Sequence, residues 1–232
     1  VTAVRRPRFL VASHGKSALT RIKQTTSAVV KATITDTFAN LANFVTLSGT
    51  PSITAGRLSG SAFAVRHRDQ CGTDNYMVKA VIGARNVGRS WLVTCASESF
   101  DRFYALEVQT FVSGGRLSII KGTGVKQTAS SGLLGILLGL VQIFLEVLSD
   151  LFTALTRWVG ANVSIDVGNE VAVWFDEDNH VIRGYRNGVQ ITSLAVKPWE
   201  LPHGDGFRHF GVVTSPDALG GVEFTSIEAA DV

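Results

Sequence analysis

Two carboxylates presented from alternate positions of one strand, about 5 Å apart, can break a glycosidic bond with retention of configuration. The acidic residues of this chain are not arranged that way. Asp176, Glu177 and Asp178 are contiguous and fall between two strand-like runs, so they read as a solvated turn. Glu223 and Glu228 are expected on opposite faces of a regular strand. No catalytic pair is expected, and the chain reads as a non-enzyme. Asp176 and Asp178 could hold calcium, although acidic hairpin turns commonly bind nothing. The histidines (His14, His67, His180, His203, His209) have no cysteine or carboxylate at ligand spacing, so neither a metal nor a cofactor is expected. Cys71 and Cys95 could pair or remain buried thiols, and their sequence positions do not decide between the two. Aromatic side chains that could stack on sugar rings are Trp91, Trp174 and Trp199. Trp174 lies in an alternating strand and is expected in the core. Trp199, between Pro198 and Pro202, is the candidate glycan-binding residue.

The elements that would position these groups are short strands. Runs at Phe44 to Leu47, Ala62 to Val65, Tyr76 to Ile82, Trp91 to Thr94, Tyr104 to Phe111 and Leu117 to Lys121 are separated by Gly, Ser, Asn and Asp clusters. Further runs follow at Val163 to Val167, Val171 to Phe175, His180 to Arg186, Val189 to Leu194, Phe210 to Thr214 and Val222 to Ile227. Asn187-Gly188 between two of them is a two-residue hairpin turn. Many strands without strand-helix alternation predict an all-β antiparallel jelly-roll sandwich.

One segment breaks this pattern. From Leu133 to Val159 the apolar residues recur with helical period. Leu134, Val141, Leu148 and Leu155 fall at heptad position a, and Leu137, Phe144, Leu151 and Trp158 at position d. The spacing predicts one long amphipathic α-helix inserted into the sandwich, about 40 Å long. Gln142, Glu146 and Asp150 interrupt the run and argue against a membrane span. A polar stripe with one basic residue, Arg157, argues against an anionic membrane surface. Packing over its own sheet is the plain alternative. Self-association through the a and d residues suits the pattern best, with a trimer or another closed homo-oligomer expected.

Charge divides the chain differently. Lys and Arg number 22 against 19 Asp and Glu, too even a balance for a nucleic-acid binder, and none is expected as a partner. Arg5, Arg6, Arg8, Lys16, Arg21 and Lys23 nevertheless precede the first acid, Asp36, and form a basic arm. Phe9 is its one aromatic, unlike the interleaved aromatics of single-strand binders. The arm lacks the apolar stretch of a secretory signal and reads as an extended segment that docks on an acidic neighbouring surface.

Several stretches together resemble a known family. Asp36-Thr37-Phe38 with Ser52 to Leu58 looks like the opening of concanavalin A-like, laminin-G-like domains. Asn169 to Phe175 followed by Ile182-Arg183-Gly184-Tyr185-Arg186-Asn187-Gly188-Val189-Gln190-Ile191 is the strongest match, and Gly211-Val212-Val213 with Val222 to Ile227 completes it. Within that superfamily the chain is most similar to domains of minor tail proteins from tailed phages of actinobacteria. The resemblance implies a sandwich over residues 33–128 and 162–232; it leaves out the docking arm over 1–32, read from charge, and the inserted oligomerisation helix over 129–161, read from periodicity, which is a departure from the family pattern. It also implies a non-enzymatic structural protein of the virion, located at the host-facing tail end. Its partners would be itself, other virion proteins through the arm, and a host cell-surface glycan. A glycan- or membrane-binding module and a capsid decoration protein are the alternative functions. Some members of the superfamily are glycoside hydrolases, but their alternating carboxylates have no counterpart here.

Overall fold

Alternation of buried and half-buried residues along Tyr76-Met77-Val78-Lys79-Ala80-Val81-Ile82 sends Tyr76, Val78, Ala80 and Ile82 to one side and Met77, Lys79 and Val81 to the other. The computed structural model describes residues 33–60, 62–123, 159–197, 199, 203–215 and 221–232. These form two antiparallel sheets packed face to face. The strands are β1 (Thr33–Asp36), β2 (Phe44–Ser48), β3 (Ser52–Thr54), β4 (Arg57–Ser59), β5 (Ala64–His67), β6 (Tyr76–Arg85), β7 (Gly88–Ala96) and β8 (Arg102–Thr110). They continue as β9 (Gly115–Thr123), β10 (Val159–Val163), β11 (Glu170–Asp176), β12 (Val181–Arg186), β13 (Val189–Ala195), β14 (His209–Thr214) and β15 (Val222–Asp231).

The first sheet runs β13-β12-β11-β6-β15-β4-β3, with β1 also paired to β15. The second runs β10-β9-β8-β7-β14-β5-β2. Between them lies one apolar core, including Tyr76, Val78, Ile82, Leu92, Leu106, Val108, Ile119, Val173, Phe175, Phe210, Val212 and Phe224. A second, smaller cluster occupies the outward positions of the second sheet: Ala64, Val93, Phe103, Ala105, Ile120 and Val213, with Phe100 from the β7–β8 turn against Phe103.

The Asn187-Gly188 turn forms as its residue types require. Both residues have positive φ, 50° and 75°, which suits a hairpin whose turn must follow the twist of its strands. Gly184 of the same hairpin faces the core, where an added Cβ would meet Leu106 at 2.6 Å and Thr192 at 2.7 Å. The glycine is therefore what lets β12 approach the opposite sheet.

Three expectations are corrected. The fold class is an all-β antiparallel sandwich, and its expected long inserted amphipathic helix is withdrawn: among the described residues there is no α-helix, only a 3-10 turn at Asp205–Phe207. The helix was expected to continue to Val159, but Val159 to Ala161 are strand, paired in register with Ile119, Ser118 and Leu117. The expected oligomerisation residues Leu134, Leu137, Val141, Phe144, Leu148, Leu151, Leu155 and Trp158 lie outside the described residues, as do Arg5, Arg6, Arg8, Lys16, Arg21 and Lys23 of the arm. Second, the strand expected over Val163 to Val167 is instead β10, and Ser164 to Asn169 form a loop from which only Ile165 is buried. Third, β15 is not regular. Its register shifts at Glu223/Phe224 and again between Phe224 and Ser226. With Phe224, Ile227 and Ala229 all in the core, Glu223 and Glu228 share the outer face.

Candidate functional site

Where β5 ends and β14 begins, the second sheet opens into a cleft of about 840 Å³. Its lining comes from Val45 on β2, Arg66 on β5, the following turn (Arg68, Asp69, Gln70), Glu98 after β7, Asp205 and Gly206 of the 3-10 turn, and His209 on β14. Beside the site, β14 pairs with β5. Gly211 pairs with Arg66, and a Cβ there would meet the Val65 carbonyl at 2.0 Å. Lacking one, Gly211 admits the neighbouring strand.

Arg66 is the anchor. It is only 6% exposed, and its guanidinium donates to the His67 carbonyl at 3.1 Å and to Glu98 Oε1 at 3.1 Å. A third contact, at 3.4 Å, faces His209 Nδ1. Arginine can only donate, so Nδ1 must carry the lone pair and the ring proton sits on Nε2. Burial, reinforced by the Arg66 charge, lowers the His209 pKa and keeps the ring neutral at pH 7. Arg66 Nε is buried without a partner. Glu98 and Asp69 are largely exposed, and Asp205 forms a 2.6 Å ion pair with Arg208.

Behind the cleft the core is polar only where it must be. His67 stacks on Phe210 with ring centroids 5.1 Å apart, meets Phe44 edge-on, and accepts from the Asp69 amide at 3.1 Å. Burial outweighs the nearby Asp69 charge and lowers its pKa, so at neutral pH this is a hydrogen bond and not an ion pair. Tyr76 crosses the core from the first sheet. Its hydroxyl accepts from the Cys95 amide at 2.6 Å and donates to the His209 carbonyl at 3.2 Å. It thereby fixes the β7–β14 bulge, where Cys95 has φ 47°. Cys71 and Cys95 are buried free thiols, and burial pushes Cys95 up to about 12 and Cys71 higher still.

The expected site residues are dispersed. Trp199 is 77% exposed with Lys197 over its ring at 5.6 Å, and it does not line the cleft. Trp174 is not in the core but half-buried on the outer face of the first sheet. There its Nε1 donates to Asn75 and Arg183 lies over its ring at 5.3 Å. Trp91 is half-buried on the outer face of the second sheet. Asp176 has both oxygens engaged, by Arg183 at 2.6 Å and by Asn179 at 2.9 to 3.2 Å. It closes a turn and leaves no face for calcium. Among the described residues no group of three or more His, Cys, Asp and Glu could hold a metal ion.

Catalytic geometry can be tested on two strands. The outward positions of β8 are Phe103, Ala105, Glu107 and Gln109, which supply one carboxylate and no second at an alternate position. Glu223 and Glu228 share a face but are about 13 Å apart along the strand. They are tied separately to Arg57 at 2.8 Å and Lys79 at 3.4 Å. Neither arrangement matches the separations of glycosidase pairs.

The cleft residues carry no motif spacing and were not singled out from the sequence. Their one signal is the polar run Arg66-His67-Arg68-Asp69-Gln70 that directly ends an apolar strand.

No family model matches the chain, and no curated relative matches it. Solved structures do match. The carbohydrate recognition domain of Emp47p superposes with TM-score 0.51 at 11% identity, covering 87% of this chain and 96% of that one. The exoplasmic/lumenal domain of VIP36 in its Ca²⁺/Man2-bound form has TM-score 0.49 at 10% identity, over 82% of this chain and 81% of that one. The carbohydrate binding module CBM66 from Bacillus subtilis has TM-score 0.47 at 12% identity, over 79% of this chain and 94% of that one. At such identities the first likeness speaks of architecture alone: the described residues form a concanavalin A-like jelly-roll sandwich.

Proposed function

We propose that this protein is a non-enzymatic glycan-recognition module of a phage virion, carried at the host-facing end of the tail. The observation that carries glycan recognition is the cleft beside Arg66. It is open to solvent and lined by Asp69, Gln70, Glu98, Asp205 and His209, with Arg66 buried at its base. Carboxylates, an amide and a neutral imidazole offer the alternating donors and acceptors that sugar hydroxyls need. The fold is shared with a domain described as a carbohydrate recognition domain, which makes the reading natural without deciding it. The virion setting rests on the resemblance of the β11–β13 residues to minor tail proteins, and in that setting the basic arm docks on an acidic surface of a neighbouring virion protein. Against hydrolysis stand the single carboxylate on the outward positions of β8 and the cleft acids Glu98 and Asp205, each held by an arginine.

Immobilised glycans probed with the purified chain test this directly. Binding should be carbohydrate-specific and competed by the free sugar. The surface variant Asp69→Asn with Gln70→Ala should weaken it about tenfold, the loss of one or two net hydrogen bonds. Equal binding by that variant, or release of reducing ends from a bound glycan, would refute the reading.

A further inference from the structure

The end of the sandwich opposite the cleft carries an unusual set of exposed side chains. Val112 is 88% exposed, Val189 63%, Val167 62%, Phe111 41% and Val87 37%. These are five of the seven large hydrophobics exposed among the described residues. They come from four separate connections: the β6–β7 turn, the β8–β9 turn, the β10–β11 loop and the β12–β13 hairpin. The strand directions bring all four to one end, and hydrogen bonds hold each in place. Thr110 Oγ1 donates to the Asn86 and Gly88 carbonyls, joining the first two turns. Gly168 N donates to the Ile82 carbonyl at 2.8 Å, tying the β10–β11 loop to β6, and Asn187 N donates to the Glu170 carbonyl at 2.8 Å, tying the β12–β13 hairpin to the start of β11.

Cations stand at the base of two of these connections. Arg85 donates to the carbonyls of Phe111 at 2.6 Å and Gly114 at 2.9 Å, so its charge sits at the base of the most exposed turn. Arg186 donates to Ser164 Oγ at 2.7 Å, at the root of the Val167 loop. Apolar tips backed by guanidinium groups match the layering of a bilayer, with hydrocarbon outermost for the tips and phosphate at the depth of the arginines. The tips arise from four separate connections and not from one continuous strand face. A soluble protein partner would need a continuous complementary surface, whereas lipid closes around isolated protrusions.

We propose that this loop end is a membrane-contact site, in which Phe111, Val112, Val167 and Val189 enter the headgroup and acyl boundary of a bilayer while Arg85 and Arg186 meet lipid phosphates. The site is independent of the glycan cleft.

The test uses the full chain and mixed phosphatidylcholine and phosphatidylglycerol vesicles. The chain should sediment with vesicles, and Val112→Asp with Val167→Asp should reduce its partitioning about tenfold or more, since each exposed valine loses its apolar transfer. Both positions are on the surface, so the fold is retained. The apolar run from Leu133 to Trp158 is identical in both proteins and cannot account for a difference. A second readout is local: a polarity-sensitive dye on Val112→Cys should shift to the blue with vesicles, while the same dye on Asp178→Cys, at the cleft end, should not. Cys71 and Cys95 are buried and stay unlabelled. Absence of vesicle binding, undiminished partitioning of the Asp variant, or a Val112 dye that remains in water on bound vesicles would each overturn the proposal. The Asp69→Asn, Gln70→Ala variant should bind vesicles as the parent chain does, which separates failure of this site from failure of the glycan cleft.

Discussion

Tyr76 belongs to the first sheet, yet its hydroxyl is bonded entirely within the second, to the Cys95 amide and the His209 carbonyl. Burial holds the phenol protonated far above its usual range, so it remains a donor at any working pH. Replacing it with phenylalanine keeps the shape and removes only the bridge. The Cys95 amide is then left in the core without its acceptor, and Tyr76→Phe should cost about 2 kcal/mol in urea denaturation. The same change should weaken any cleft ligand, because His209 lines the cleft and its backbone is what Tyr76 holds. A variant as stable as the parent would show that water replaces the hydroxyl. None of this was legible in the sequence, where Tyr76 reads simply as the first residue of a strand. Trp174 was misread for a related reason: in Val171-Ala172-Val173-Trp174-Phe175 every residue is apolar, so hydrophobicity does not reveal which parity faces inward. The core takes Val171, Val173 and Phe175, and Trp174 goes to the outer face.

At the scale of elements, turns were more legible than strand irregularities. Asn187-Gly188 and the acidic turn after β11 follow from local chemistry, since only certain residues adopt positive φ or cap their own backbone. The acidic turn also makes a testable contribution to stability. Burial alone would raise the Asp176 pKa, but hydrogen bonds from Arg183 and Asn179 outweigh it and hold the carboxyl below its ordinary range. A carboxylate whose folded pKa is depressed stabilises the fold above its unfolded pKa of about 3.9, and that stabilisation is lost as pH falls through the folded value. Asp176→Asn should therefore cost about 2 kcal/mol at pH 7, and the gap between variant and parent should narrow below about pH 4. Denaturation curves at both pH values check this, and a gap that stays constant would mean the charge contributes nothing. The bulge in β15 had no such signature. Its extra residue is Thr225, which suits a regular strand equally well, so the common face of Glu223 and Glu228 emerges only from pairing with β6.

For the whole molecule, the sandwich class followed from the number and spacing of apolar runs, while the order of strands did not. Parity and turn residues determine that a strand exists. Which strands become neighbours depends on contacts between distant parts of the chain, and here those contacts interleave the two halves. Strand β6, from the stretch before residue 124, lies between β11 and β15, both from the stretch after 158, and β14 lies between β7 and β5. The cleft was illegible for the same reason, because Arg66, Glu98 and His209 meet only when β14 inserts beside β5 and β7. The helical period from Leu133 onward made the opposite error. A strong local pattern was carried to Val159, although the pairing of Val159 with Ile119 places that residue in the sheet. The interleaving has a direct consequence for covalent continuity. Neither stretch can close a sheet without the other, since each supplies central strands to both, and the shared core spans them. Cutting the full chain at a protease site engineered between residues 124 and 158 should therefore leave the two pieces together through sizing chromatography, with the β-sheet circular dichroism signal kept. They should separate only in denaturant, in one cooperative transition that probes of either sheet report alike. Two transitions, or separation in native buffer, would mean that the halves fold independently and that the observed strand order does not hold the molecule together.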